Sequence, residues 1–415
     1  MAGVSATAGL PIKRNTAILS ACVAVQSAVL QLVAAISTLT FALVTGIERL
    51  LGLGPAIFLT AAALTALPAG RTMDRVGRVP VLAGGFGLGI AGCIVTGIGV
   101  GAVSTVTVIV GFVLIGSASG TLLLLRTAAG DMYPPERRAR GIAYALSGAV
   151  FGAVLGPAVF GPIFSGRDLE ASALRLPWFA ASGLMAVGLV LVLTVRPDPK
   201  RIAERLAPPP AGELAPPAAP LGELLRRPGV VQALLAAVAS FAVMVSVMNL
   251  TGYVVVEEHR HHQSSVFPII GAHVLGMYGL VLVIGNVIDR IGRTPALVGG
   301  LLVMAASCLG LTWAEGVGTT AFLLFGLGLG WNLSFVAASA QLVDAAAPAE
   351  RGRLLGFGDL LAGLLGATLA LLGGLALGSA GVIALAVGAT VIALVPVLPI
   401  LLRSRPARPA VPQAR

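Results

Sequence analysis

The sequence has little charge. Only 11% of its 415 residues are Asp, Glu, Lys or Arg, whereas a soluble globular protein carries about 25%. With so few charged side chains, the chain cannot cover a water-facing surface of ordinary size. It is 57% hydrophobic, with a mean hydropathy of +0.97. The composition therefore excludes an ordinary soluble protein and predicts one whose main solvent is the lipid bilayer.

Cysteine and histidine are also scarce. Cys22, Cys93 and Cys308 lie in apolar stretches without disulfide or metal-ligand spacing. Three of the four histidines fall in residues 257–263, and we interpret this segment as a solvated loop because it lacks regular ligand spacing. The sequence has no phosphate-binding loop and no paired nucleophile and base. We therefore predict no enzyme activity, no metal and no cofactor.

Basic residues outnumber acidic residues, and the formal net charge is +10. No basic patch is interleaved with aromatic residues, so we expect no nucleic-acid binding. Of the 27 lysines and arginines, 22 fall in loops on one side of a twelve-span chain, the exceptions being Arg49, Arg126, Arg167, Arg175 and Arg260. This distribution follows the positive-inside rule. It predicts a multi-pass protein of the cell membrane with both termini in the cytoplasm.

Long apolar segments are the main feature of the sequence. A spanning helix needs about 20 apolar residues, and twelve segments qualify. They are residues 17–45, 53–70, 80–101, 104–127, 141–163, 177–195, 229–256, 266–286, 296–314, 318–343, 355–378 and 380–402. We number them spans 1 to 12 and predict an all-α integral membrane protein.

The longest hydrophilic stretch, residues 196–228, mixes charge with repeated proline and divides six spans from six spans. Such composition indicates a linker with extended, semi-rigid parts; a short surface helix from Leu221 is compatible with it. The predicted organisation is a first bundle (1–195), a cytoplasmic linker (196–228), a second bundle (229–403) and a basic cytoplasmic tail (404–415).

A charged turn occurs twice, half a chain apart. GRTMDRVGR at residues 70–78 returns as GNVIDRIGR at residues 285–293. A second pair of loops also matches, because Asp131 follows span 4 as Asp344 follows span 10. The two halves of the chain are therefore predicted to be related.

At these residues the chain resembles the major facilitator superfamily of secondary transporters, whose signature between spans 2 and 3 is G-x-x-x-D-R-x-G-R. The signature residues are Gly70, Asp74, Arg75, Gly77 and Arg78, and again Gly285, Asp289, Arg290, Gly292 and Arg293. The resemblance covers essentially residues 15–403. It implies two six-helix bundles related by a pseudo-twofold axis along the membrane normal, rocking about a central site. Spans 1, 4, 7 and 10 would line the cavity, and the protein would act as a monomer.

The resemblance also implies a role for the repeated turn. In the family, the last arginine pairs with an acid at the end of span 4, and the aspartate favours the start of span 11. We expect Arg78–Asp131 and Arg293–Asp344 to act as cytoplasmic latches of the outward-facing state. The alternative is a topology anchor without a gating role.

Span 5 has a stripe of small residues that includes Gly152, Gly156, Pro157 and Gly161. One interpretation is close helix packing. The other is resemblance to the antiporter motif of drug-exporting family members, G-x-x-x-G-P-x-x-G-G. Gly152, Gly156 and Pro157 match that motif, whereas its terminal glycine pair is reduced to Gly161 and Pro162.

Few polar groups lie within the spans, and ionisable residues at membrane depth are functional candidates. Arg126 on span 4 and Asp359 on span 11 are expected to form an inter-bundle pair that breaks and forms during transport; alternatively, each has a structural role near its helix end. His273 suits proton coupling or is a satisfied buried histidine. The substrate-contact candidates are Gln31, Thr38, Asn249, Trp331 and Asn332, which alternatively hold helices together.

We therefore predict a secondary active transporter of a small solute, working by proton-coupled efflux. The alternatives are proton-coupled uptake of a metabolite and a non-transporting membrane sensor with the same fold. The expected partners are a small-molecule substrate, protons and the lipid bilayer.

Overall fold

The structure is a computed structural model that describes residues 10–45, 53–164, 174–206, 219–255 and 266–403. Throughout these ranges the regular secondary structure is helical. A long apolar segment in lipid must satisfy its backbone hydrogen bonds internally, and the helix is the form in which a single segment can do so.

The first bundle contains spans 1 to 6. They are Ile12–Thr45, Leu53–Val76, Arg78–Gly101, Thr105–Leu122 with Leu125–Asp131, Arg138–Leu146 with Gly148–Phe164, and Arg175–Leu193. A 3-10 turn, Pro135–Arg137, leads into span 5.

The second bundle contains spans 7 to 12. Spans 7 to 10 are Val230–Tyr253, Val266–Val274 with Leu275–Gly279 and Val281–Ile291, Arg293–Gly310, and Val317–Asp344. Spans 11 and 12 form one helical element, Arg351–Leu394, which is kinked at Gly381 and followed by Val397–Arg403.

Eleven helices among the described residues are long and apolar enough to cross a membrane, and the count rises to twelve if span 8 is taken as one. The two parts of span 8, Ile269–Gly279 and Val281–Ile291, are bent by 44°. The first part ends in a π-helical turn, a feature that commonly kinks helices. The prediction of an all-α membrane protein with twelve spans in two bundles is confirmed.

Some predicted boundaries were wrong. Span 1 begins at Ile12, not at 17, and span 11 begins at Arg351, not at 355. In both cases charged residues form the first helical turn, which the apolar pattern does not detect. The linker contains the predicted short helix, Leu221–Arg226, and also an unpredicted one, Pro199–Leu206, which buries Ile202.

Glycines make the tight turns of the repeated motif. Gly77 separates span 2 from span 3, and Gly292 separates span 8 from span 9. Their φ angles are +106° and +91°, in the region where a side chain is strained and glycine is not. The two helices can therefore follow one another after a single residue.

The two bundles meet where span 2 crosses span 11 and span 5 crosses span 8. A Cβ atom at Gly70 would lie 1.9 Å from the carbonyl oxygen of Gly352, and one at Gly356 would lie 2.4 Å from that of Ala66. At the second crossing, a Cβ atom at Gly285 would lie 2.8 Å from Ala143 Cβ. Small residues thus allow close backbone approach. Both crossings lie at the end of the protein that carries loops 2–3, 4–5, 8–9 and 10–11, which we call the basic face.

Replacing Gly70 with valine tests this crossing. The added side chain meets a backbone carbonyl that cannot rotate away, so we expect a loss of about 1–3 kcal/mol, typical of overpacking. The measurement is the apparent Tm of the purified protein in detergent. Gly84→Val is the matched control, because nothing lies within 4 Å of a Cβ atom there. Equal Tm values for the two variants would show that the crossing is not tight.

Candidate functional site

Arg78 is the centre of a buried charge cluster at the basic face. Its Nε donates to Asp131 (2.6 Å), and its Nη1 donates to Asp74 (3.1 Å) and to the Met73 carbonyl (3.0 Å). Its Nη2 reaches across to the second bundle and donates to the carbonyl of Pro348 at 2.6 Å. The side chain has no solvent exposure. The guanidinium therefore joins spans 2, 3 and 4 to loop 10–11.

Asp131 and Asp74 also bind the second bundle. The other Asp131 oxygen accepts from Arg351 Nη1 at 2.6 Å. Asp74 accepts from the backbone N–H groups of Gly352 (2.8 Å) and Arg353 (2.7 Å). These are free donors at the N-terminus of span 11, where the helix dipole also favours a negative charge. We call Asp74, Arg78, Asp131 and Arg351 the first-half cluster.

The second half repeats this arrangement. Arg293 donates to Asp289 (2.7 Å), to Asp344 (3.2 Å) and to the carbonyl of Pro135. Asp344 also accepts from Arg138 at 2.9 Å, and Asp289 accepts from the backbone N–H of Arg140 at 3.3 Å. We call Arg138, Asp289, Arg293 and Asp344 the second-half cluster. The expected contacts Arg78–Asp131 and Arg293–Asp344 are both present in the structure. Arg75 and Arg290 are exposed and belong to neither cluster.

The two clusters differ in burial. The side chains of Arg78 and Asp131 are 0% exposed, whereas those of Arg293 and Asp344 are 18% and 29% exposed. Water therefore screens the second-half cluster and not the first. The first-half cluster is the stronger electrostatic contact between the bundles.

The linker contributes contacts that the sequence analysis missed. Asp198 accepts from the backbone N–H groups of Arg78 and Val79, both at 2.8 Å, and so caps the start of span 3. Lys200 donates to the Asp74 carbonyl at 2.5 Å. An aspartate directly before a proline is a capping signal for the helix that follows, and Asp198 does accept from the backbone N–H of Lys200 at 2.8 Å. Span 3, which Asp198 also caps, lies far away in the sequence.

Glu350 fixes the other end of the linker. It is 3% exposed and accepts two hydrogen bonds from Arg227 (2.6 and 3.0 Å). It also accepts from the backbone N–H groups of Ala219 and Ala347 (both 2.9 Å). Burial acts to raise the pKa of Glu350, but Arg227 and the two N–H groups together outweigh it and leave the pKa below its ordinary value.

Among the described residues, one ion pair joins the bundles more deeply. Arg126 on span 4 donates to Asp359 on span 11 at 2.5 Å, and the side chains are 3% and 5% exposed. Arg126 also donates to Ser339 on span 10 (3.1 Å) and to the Leu123 carbonyl (2.8 Å). Its guanidinium lies 4.7 Å from the ring centroid of Phe335. The break of span 4 before Leu125 places the Leu123 carbonyl within its reach.

Phe335 belongs to a group of four aromatic rings in the second bundle, which we call the aromatic cluster. Trp331 and Phe335 are stacked, with centroids 4.7 Å apart and planes inclined by 16°. Tyr278 meets Trp331 edge-on at 5.8 Å, and Phe241 lies 6.2 Å from Phe335. Spans 7, 8 and 10 supply the four rings. Trp331 was a candidate on sequence grounds, but the cluster was not predicted because its members are far apart in the chain.

The other candidates occupy different places. His273 is buried, with Nδ1 2.9 Å from the Leu324 carbonyl of span 10, and Nε2 has no partner among the described residues. Gln31 donates to its own helix at Ser27 (3.4 Å). Asn332 is fully buried beside the aromatic cluster. The side chains of Thr38 and Asn249 lie outside the described residues.

The glycine stripe of span 5 packs against span 1. Cβ atoms at Gly148 and Gly152 would lie 1.8 and 2.5 Å from the carbonyl oxygens of Ser20 and Ala24. Gly156 faces span 1 as well, with more room. These contacts support close packing as the reason for the stripe. The side chain of Pro157 and the surroundings of Gly161 lie outside the described residues. No group of three potential metal ligands occurs in the part of the chain that the structure describes.

The sequence profile of the Major Facilitator Superfamily matches residues 16–281 and 262–415. The chain belongs to this family. Two relatives are the uncharacterised MFS-type transporter YdeG of Bacillus subtilis and the riboflavin transporter RfnT of Brucella anthropi. The first is 29% identical over 372 residues, covering 87% of this chain and 84% of that protein. The second is 30% identical over 305 residues, covering 72% and 73%.

Solved structures agree on the fold. The human organic anion transporter MFSD10 superposes with a TM-score of 0.74 at 16% identity, over 94% of this chain and 99% of that one. The Escherichia coli fucose:proton symporter FucP gives a TM-score of 0.70 at 14% identity, over 94% and 98%. The protein is a multi-pass membrane transporter and not an enzyme.

Asp131→Asn tests the first-half cluster. The change leaves Arg351 buried without a counter-charge and Arg78 with Asp74 alone, so we expect a loss of about 3–5 kcal/mol, measured as a fall in apparent Tm in detergent. Asp344→Asn is the matched control, and because its side chain is partly exposed we expect a loss under about 1 kcal/mol. An equal fall in apparent Tm for the two variants would contradict the proposed difference between the clusters.

Glu350→Gln tests the linker contact through pH. Because the folded pKa of Glu350 is below its ordinary value, its stabilising effect is complete above about pH 4.3, the pKa of an unfolded glutamate. The effect is lost as the pH falls through the folded pKa. We expect wild type to exceed Glu350→Gln in Tm at neutral pH and the difference to shrink in acid. A difference that does not depend on pH would contradict this assignment.

Proposed function

We propose that this protein is a proton-coupled secondary transporter in which the Arg126–Asp359 pair is the coupling element. The observation that carries the proposal is the contact itself. It is a buried ion pair, and its two members belong to different bundles. An intramembrane ion pair is costly to keep and is typical of substrate and proton pathways.

Protonation of Asp359 is the proposed switch. A proton on the carboxylate cancels its charge and removes most of the Coulomb attraction to Arg126. One carboxylate oxygen binds Arg126, and the other, Oδ2, has no hydrogen-bond partner among the described residues. Oδ2 can therefore accept a proton without first breaking the pair. The freed guanidinium then turns to substrate or water, and the bundles part at the basic face.

We propose export as the direction of transport, with the solute leaving as a proton enters. The support is the match of Gly152, Gly156 and Pro157 to the exporter pattern in span 5. Proton-coupled uptake is the second candidate. It is favoured by the riboflavin transporter among the relatives, which also makes riboflavin the first solute to assay.

We further propose that the basic face is cytoplasmic and that the protein works as a monomer in the cell membrane. The support for the orientation is the distribution of the arginines and lysines. In this orientation, contact between the bundles at the basic face corresponds to an outward-facing state held by the two charge clusters. Both clusters act as latches in this cycle.

Asp359→Asn in proteoliposomes tests the coupling. We expect solute-dependent proton movement to fall at least about tenfold, because the amide cannot carry the proton, while exchange of solute without a pH gradient persists. The readout is luminal pH after external addition of solute. Acidification indicates symport, and alkalinisation indicates antiport.

Glu204→Gln is the control for this assay, since Glu204 is exposed on the linker and its loss removes one carboxylate elsewhere. A double variant, Arg126→Leu with Asp359→Leu, removes both charges at once and avoids an unpaired buried arginine. Proton movement equal to wild type in Asp359→Asn and in the double variant would refute the proposal.

A further inference from the structure

The aromatic cluster breaks the internal repeat. Positions in loops 4–5 and 10–11 correspond at an offset of 213, as Asp131 does to Asp344. The same offset relates Arg126 to its contact Ser339. At this offset Trp331 and Phe335 correspond to Ala118 and Leu122. The two halves share the charged contacts at the basic face, whereas the stacked rings belong to the second half alone. The scaffold common to both halves does not require them.

Unsatisfied polar atoms accompany the rings. Asn332 is 0% exposed, and neither its Nδ2 nor its Oδ1 has a hydrogen-bond partner among the described residues. The same is true of Trp331 Nε1 and Asp359 Oδ2. A buried amide without partners is destabilising, and native structures contain few of them. An apolar residue would pack there at lower cost, so packing does not account for Asn332.

Helix geometry places Asn332 with the central pair. Span 10 turns by about 100° per residue, so Asn332, Phe335 and Ser339 lie on one face. Phe335 and Ser339 both contact Arg126. That face therefore presents the Phe335 ring, the guanidinium that it contacts and an amide with one free acceptor and one free donor group, and Trp331 lies at its edge.

We propose that the substrate is a planar heteroaromatic solute with an N–H next to a C=O on one edge, as in an imide or a lactam. The inference rests on the proposed function, which makes the Arg126–Asp359 region the substrate site. The amide of Asn332 pairs with such an edge through two hydrogen bonds, as asparagine does with the edge of a nucleobase. Phe335 is covered by Trp331 on one face and by Arg126 on the other, so the ring face offered for stacking is that of Trp331. Arg126 and Asp359 bind further carbonyl or N–H groups of the ring.

Binding of labelled riboflavin to the purified protein, with unlabelled competitors, tests this assignment. Riboflavin, lumichrome and xanthine each have a planar ring with an imide edge, and N3-methylriboflavin has that edge blocked. D-xylose is the non-planar control. We expect the three planar imides to bind, xylose not to compete, and N3-methylriboflavin to bind roughly 10- to 100-fold more weakly than riboflavin.

Asn332→Leu is the decisive variant because it keeps the side-chain volume. We expect this variant to bind riboflavin as weakly as N3-methylriboflavin, so that the two affinities no longer differ. The apparent Tm should stay equal or rise, since Asn332 makes no hydrogen bond among the described residues. Asn286→Leu is the matched control: Asn286 is exposed and bonds its own helix at Leu282, so binding should not change.

Two results overturn the substrate class. One is that none of the three planar imides binds. The other is that Asn332→Leu still distinguishes riboflavin from its N3-methyl derivative. If another solute drives proton movement in proteoliposomes while the planar imides fail, the class is wrong and the proposed function stands. If the imides bind with the predicted edge dependence but move no protons, the class stands and the proposed coupling fails.

Discussion

A charge removed from water must be paired, and this requirement organises the contact between the two bundles. Arg78 and Asp131 have their full set of hydrogen-bond partners, which includes Arg351, only when loop 10–11 lies against the first bundle. When the bundles part, water can replace each partner at little net cost, because the Coulomb gain of a buried pair nearly balances its desolvation. An apolar contact of the same area would be as stable, but it contains no group whose protonation could open it. Paired charges thus give a contact that is both specific and reversible.

The sequence was sufficient to predict the twelve spans and the contacts Arg78–Asp131 and Arg293–Asp344, because apolar length and a repeated motif are local signals. It did not lead to Arg351 or Arg138. The signal was nonetheless present: these two residues are 213 positions apart, as are their partners Asp131 and Asp344. The repeat, applied to whole loops and not only to the motif, would have indicated the exchange of partners between halves. The Asp198 cap could not be found in this way, since it depends on where the linker folds back.

Some features of this protein follow the internal repeat, and others occur in one half only. The basic face obeys the repeat, but Arg78 and Asp131 are fully buried, whereas Arg293 and Asp344 are partly hydrated. Gly352 allows the tighter crossing at the first-half cluster, whereas the equivalent place beside the second-half cluster is occupied by Ala139. Deeper in the protein the repeat fails, and Arg126 meets Asp359 beside rings that occur in one half only. Features common to both halves serve the movement, and features of one half serve recognition in the proposed cycle.

The most direct test of the account is the distance between the bundles at the basic face when the central pair loses its charge. Spin labels on cysteines at Val76 and Ile291, which are 57% and 46% exposed, report this distance by pulsed electron resonance. Labelling is selective because Cys22, Cys93 and Cys308 are buried. We predict a single distance for wild type and, in the Asp359→Asn background, a second population at longer distance. The same single distance in both proteins would contradict the claim that the Arg126–Asp359 pair controls closure.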